Sequence, residues 1–75
     1  MWEEVCFISE SGRRVECQIK HFDECSRFGI DGGRISKLLM LAGGQVVASY
    51  DRGWDIRPAG GDIQGIYKAL IERWN

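Results

Sequence analysis

A single histidine occurs in the 75 residues, so no Ser/His/Asp or Cys/His arrangement can be placed from spacing. Cysteine is also scarce. Three cysteines are an odd number without paired spacing, whereas a disulfide-stapled secreted domain carries four or six. Reduced thiols and a cytoplasmic location are the expectation. No charge sign dominates: ten Lys and Arg stand against eleven Asp and Glu, net −1, with the signs mixed along the chain. Bulk electrostatic binding of a phosphate backbone calls for a basic face, so this balance counts against nucleic acid as a partner. The longest apolar run, Leu38 to Ala42, is far short of the roughly 20 residues that cross a bilayer. The N-terminal stretch has no charged start followed by an apolar run and a cleavage site, so neither a signal peptide nor a membrane contact is expected.

Proline occurs once and glycine ten times, a composition suited to strands joined by tight turns. Seventy-five residues make one domain, 1–75, and a chain of this size buries only about 60% of its unfolded surface. Such a core gains from a partner chain.

The pattern predicts an α+β domain: an antiparallel sheet of about four strands, built from two hairpins as a meander, with one C-terminal amphipathic helix packed on one face. Val15, Cys17 and Ile19 alternate with Glu16, Gln18 and Lys20, which marks a strand with one buried face. A three-residue loop with Gly12 in the left-handed position joins it to Trp2–Ile8 and sets Phe7 beside Val15 and Val5 beside Cys17. Cys6 then points away from Cys17, so the two are not expected to form a disulfide. Arg34 to Ala42 and Gln45 to Tyr50 flank Gly43-Gly44, a type I′ hairpin signal. A regular register there pairs Leu41 with Val46, Leu39 with Ala48 and Lys37 with Tyr50. Trp54 and Ile56 suggest a further short strand. Ile63, Ile66, Tyr67, Leu70, Ile71 and Trp74 recur at helical spacing as one apolar stripe, with Asp62 and Arg73 placed to suit the helix dipole.

Candidate chemistry is sparse. Cys17, His21 and Cys25 are spaced by four, but on a strand Cys17 and His21 lie about 13 Å apart at about 3.3 Å per residue. One zinc with bonds of about 2.0–2.3 Å cannot take both, so no metal site is expected. His21 is then a strand-end residue bonded to a carboxylate or backbone group. The segment Gly29-Ile30-Asp31-Gly32-Gly33-Arg34 lacks the Lys and Ser/Thr of a P-loop and opens no helix, which makes it a poor phosphate cradle. Asp31, Arg34, Asp51, Arg52, Trp54 and Asp55 are expected to share one rim of the sheet, either as an Arg–Asp brace with Arg34 bonded to an Asp, or as a ligand or interaction site. The plainer reading of each Asp is that it bonds its own turn.

At Lys20-His21-Phe22, in Gly-Ile-Asp-Gly-Gly-Arg-Ile-Ser-Lys-Leu from Gly29 to Leu38, and in Tyr-Asp-Arg-Gly-Trp-Asp from Tyr50 to Asp55, the chain resembles a family of very small proteins from phages, prophages and gut Firmicutes. That family is a domain of unknown function. The resemblance covers roughly residues 15–60 and then the helix. It implies a bacterial or phage cytoplasmic setting and carries no activity, cofactor or catalytic residue.

Three functions follow from these features. The first is a non-enzymatic protein-interaction or accessory module, self-associating as a homodimer through Leu38, Met40 and Val47, which one helix would leave uncovered. The second is a nucleic-acid-associated protein using a sheet face with a basic rim. The third is a metal-assisted hydrolase using Asp31, Asp51 and Asp55.

Overall fold

The computed structural model describes residues 1–75. Strands β1 (Trp2–Ile8), β2 (Arg14–His21), β3 (Ile35–Ala42), β4 (Gln45–Asp51) and β5 (Trp54–Ile56) form one antiparallel sheet in sequence order. Helix α1 (Gly61–Trp74) follows, and a single 3₁₀ turn, Ile30–Gly32, interrupts the β2–β3 connection. The α+β class holds with five strands, since Trp54–Ile56 completes the meander.

The first hairpin forms as its residues dictate. Val5 pairs with Cys17 and Phe7 with Val15. Gly12 has φ 87°, the left-handed turn position that favours glycine, and the Ser9 amide closes the loop on the Arg13 carbonyl at 2.8 Å.

The second hairpin departs from the regular register. Leu41 faces Val46, but the ladder then shifts by one, so that Met40 faces Ala48, Leu39 faces Ser49, Leu38 faces Tyr50 and Lys37 faces Asp51. Val47 is the extra residue of a β-bulge. A second constraint comes from β2, whose Cys17 and Ile19 lie beside Met40 and Leu38. Residues directly opposite share a face, so the helix-covered side carries Val15, Cys17, Ile19, Leu38, Met40, Ala42, Ala48 and Tyr50.

Leu38 and Met40 are therefore core residues, both essentially buried, and the expectation that they form an uncovered self-association face is corrected. Val47 also packs against the core, partly buried. The face left open carries Leu39 and Leu41 instead, with Val46 exposed beside them.

The α1 stripe buries Ile63, Ile66 and Leu70, while Tyr67, Ile71 and Trp74 pack partly buried against the same cluster. The hairpin loop between β1 and β2 holds the start of this helix. Ser9 and Ser11 hydroxyls both donate to Asp62 Oδ2, the former at 3.2 Å. The Ser11 bond, with help from Ser9 and Arg13 and against some desolvation, holds the Asp62 carboxyl below its ordinary value.

Candidate interaction surface

The predicted rim assembles only in part. Asp51 lies 3.9 Å from Lys37, its partner in the shifted ladder. The Arg52 amide donates to the Ser36 carbonyl at 3.3 Å. Arg34 makes no ion pair with any Asp; the one-residue shift on β4 gives Asp51 to Lys37, and the Arg34 carbonyl accepts from the Phe22 amide on the β2 side, away from the corner. Asp55 and Asp31 are exposed. Asp31 and Arg52 are the two non-glycine residues with positive φ, 51° and 59°.

Aromatic rings replace the expected brace. Trp54 meets Tyr50 and Tyr67 edge-on at 5.0 and 5.6 Å, and the Tyr50 hydroxyl donates to the Phe28 carbonyl at 2.7 Å. Arg27 and Arg52 lie over the Phe28 ring and Arg57 over Trp54. Burial raises the Tyr67 hydroxyl's pKa, and the Asp31 charge adds to the shift.

The glycine-rich segment has a structural purpose that the sequence does not announce. Asn75 donates its side-chain amide to the Ile30 carbonyl at 3.0 Å and accepts from the Ile35 amide at 2.9 Å. This clamp presses against Gly33, where a Cβ would overlap the Asn75 side chain. At Gly29 a Cβ would overlap the Gly33 carbonyl. Gly29 is thus needed for close backbone approach, Gly33 leaves room for the Asn75 side chain, and Ile30 is fully buried between them.

No group of three or more His, Cys, Asp or Glu side chains lies close enough to hold a metal ion, and Asp31, Asp51 and Asp55 form no such group. His21 Nε2 lies 3.0 Å from Glu3 Oε2 across the β1–β2 ladder, as a strand-end histidine with a carboxylate neighbour. Every buried side-chain nitrogen and oxygen has a hydrogen-bond partner. The surface recesses are open grooves; one along β1 and β2 is lined by Glu4, Cys6, Arg14, Glu16 and Gln18, and others lie beside the Gly43-Gly44 turn and over Leu39 and Ser49.

All three cysteines are free: Cys6 and Cys25 exposed, Cys17 buried. Burial pushes the Cys17 thiol up to about 11, and neighbouring Cys6 adds to the shift. Titration with a thiol reagent on the native protein is expected to find two accessible thiols, with the third reacting only on unfolding. Because the folded value lies above the ordinary 9.0, Cys17's contribution to stability is complete below pH 9.0 and is lost as pH rises through about 11.

The open face reads directly from the ladders. Trp2, Lys20 and Lys37 form one row, Glu4, Gln18, Leu39 and Ser49 the next, and Cys6, Glu16, Leu41 and Val46 a third. The three most exposed large apolar side chains, Met1 at 73%, Ile8 at 68% and Trp2 at 55%, all lie on or beside β1, one of the two edge strands. No helix is long and apolar enough to cross a membrane.

Neither the curated proteins nor the solved structures contain a match to this chain. A family model does match, over residues 1–75 and thus the whole described domain. The chain belongs to the family described as "Domain of unknown function (DUF7678)".

Proposed function

We propose that this domain is a non-enzymatic protein-interaction module that acts by self-association, in the bacterial or phage cytoplasm that its motifs imply. One observation carries the reading: apolar exposure concentrates on Met1, Trp2 and Ile8 of an unpaired sheet edge, beside an uncovered face with Leu39, Leu41 and Val46. Each fully buried aliphatic side chain is worth about 1.5–3 kcal/mol over its exposed state, a large gain for a domain whose whole stability is about 5–15 kcal/mol. The open face also carries Glu4, Glu16 and Asp51 with Arg14, Lys20 and Lys37, equal numbers of each sign, which suits a protein surface better than a polyanion. Sedimentation equilibrium is expected to give twice the chain mass at high concentration, falling toward the chain mass on dilution. A monomer throughout, up to the solubility limit, would remove the reading.

A second reading, single-stranded nucleic acid, has the Arg27–Phe28–Arg52 stack and the Arg57–Trp54 contact in its favour. Asp51 and Asp55 in the same corner and the net charge of −1 oppose it. Failure to retain a labelled oligonucleotide at low salt would end it.

A further inference from the structure

Backbone bonding shows which groups of β1 face outward. Met1 and His21 exchange both of their main-chain bonds, at 2.8 and 2.9 Å, and the Ser9 amide donates to Arg13 at 2.8 Å. In an antiparallel ladder bonded pairs alternate with non-bonded pairs. Glu3, Val5 and Phe7 therefore spend their N–H and C=O groups on β2, while those of Trp2, Glu4, Cys6 and Ile8 point away from the sheet.

The only charges on this edge are Glu3, held by His21 on the inner face, and Glu4. Natural sheets blunt their edges with short strands, bulges, proline or charged side chains, lysine above all. The opposite edge does so: β5 has three residues, its ladder shifts between Ser49 and Tyr50, and Pro58 follows it closely. β1 has seven residues, an unbroken ladder, and neither lysine nor proline. Its inner face leaves Val5 and Phe7 only partly buried.

We propose that β1 pairs antiparallel with β1 of a second copy about a two-fold axis at Val5, fusing the two sheets into one. The proposal rests on the self-association reading and names its surface. In this register Trp2 lies opposite the partner's Ile8 and Glu4 opposite the partner's Cys6, and every outward N–H and C=O from Trp2 to Ile8 finds a partner. Glu3 lies opposite the partner's Phe7, and Val5 meets its own copy as a non-bonded pair. No like charges stand opposite each other.

The alternative registers are poorer. A shift that sets Trp2 opposite the partner's Cys6 also sets Glu4 directly opposite the partner's Glu4, a destabilising like-charge pair. The reverse shift leaves Trp2 without a partner. Parallel pairing would bring Glu3 and Glu4 alongside their own copies. The isologous arrangement closes on itself, so the assembly stops at a dimer. Both helices then lie on one side of the continuous sheet and both open faces on the other.

Site-directed cross-linking tests the register. In a Cys6→Ser, Cys17→Ala, Cys25→Ser background, which removes the Cys17 thiol directly opposite position 5, Val5→Cys is expected to form a disulfide-linked dimer under mild oxidation, because the non-bonded pair brings its Cβ atoms to about 4.5–5.5 Å, close to the 3.5–4.5 Å of a disulfide. The Cys25→Ser protein retaining Cys6 is expected to yield roughly tenfold less, since the two Cys6 residues are offset along the strands beyond disulfide reach. Should Val5→Cys fail to fold, Glu4→Cys beside native Cys6 in the Cys25→Ser protein reports the same register from the solvent-exposed face, by its cross-link to the partner's Cys6. A dimeric mass with neither position cross-linking, or with Cys6 alone cross-linking as well as Val5→Cys, would overturn the edge pairing and leave self-association standing. A monomeric mass at every concentration would overturn both.

Discussion

Leu70→Ala is expected to lower the thermal midpoint by at least about 8 °C, and at the upper end to unfold the domain at room temperature. Leu70 is fully buried at 0% exposure, in one cluster with Leu38, Met40, Ile63 and Ile66. Truncating a buried leucine costs about 2–5 kcal/mol, and in a domain of this size each kcal/mol moves the midpoint by about 4–8 °C. Leu41→Ala is the matching control: the same change on the open face, where Leu41 is half-buried, costs much less. Equal midpoints for the two variants would mean that α1 does not cover the face carrying Leu38 and Met40.

Gly29→Ala is expected to cost roughly 3 kcal/mol or more, read as a fall in the urea midpoint at unchanged slope. The added methyl meets the Gly33 carbonyl and lies 3.2 Å from the Ile35 carbonyl, both main-chain groups that cannot rotate away. Making room means moving the turn that buries Ile30 and receives the Asn75 clamp. Gly65→Ala is the opposite case. Nothing lies within 4 Å of its added Cβ, and it stands inside α1. There alanine is expected to stabilise by about 0.5–1 kcal/mol. A wild-type midpoint for Gly29→Ala would mean that the Gly29–Gly33 approach does not exist in solution.

How much of this was legible depends on sequence separation. The first hairpin and the helix stripe carry their instructions locally: alternation in Val15, Cys17 and Ile19, a glycine at the left-handed turn, and apolar residues at helical spacing. The orientation of β3 was misread for two reasons. The bulge at Val47 flips parity within β4, and no β4 residue type announces it, since Val46 and Val47 are both apolar. The face that β3 presents is set by β2, through pairs such as Cys17 with Met40 that no local pattern predicts. The same one-residue shift gave Asp51 to Lys37 and left Arg34 outside the expected brace. Asn75 was invisible for a different reason: its two bonds reach back 40 and 45 residues to a turn whose glycines suggested, at most, a weak phosphate site. The free edge at β1 is likewise a property of topology. Trp2–Ile8 reads as a strand, and only the order β1-β2-β3-β4-β5 shows that it has one neighbour.

The surface that the account assigns to self-association lies along that edge, and amide hydrogen exchange residue by residue on the unmodified protein tests it most directly. At a concentration where the mass is dimeric, the amides of Glu4, Cys6 and Ile8 are expected to be protected along with those of Glu3, Val5 and Phe7, and on dilution the even-numbered set alone is expected to lose its protection. Even-numbered amides that exchange as fast as those of the Gly43-Gly44 turn at every concentration would contradict the account.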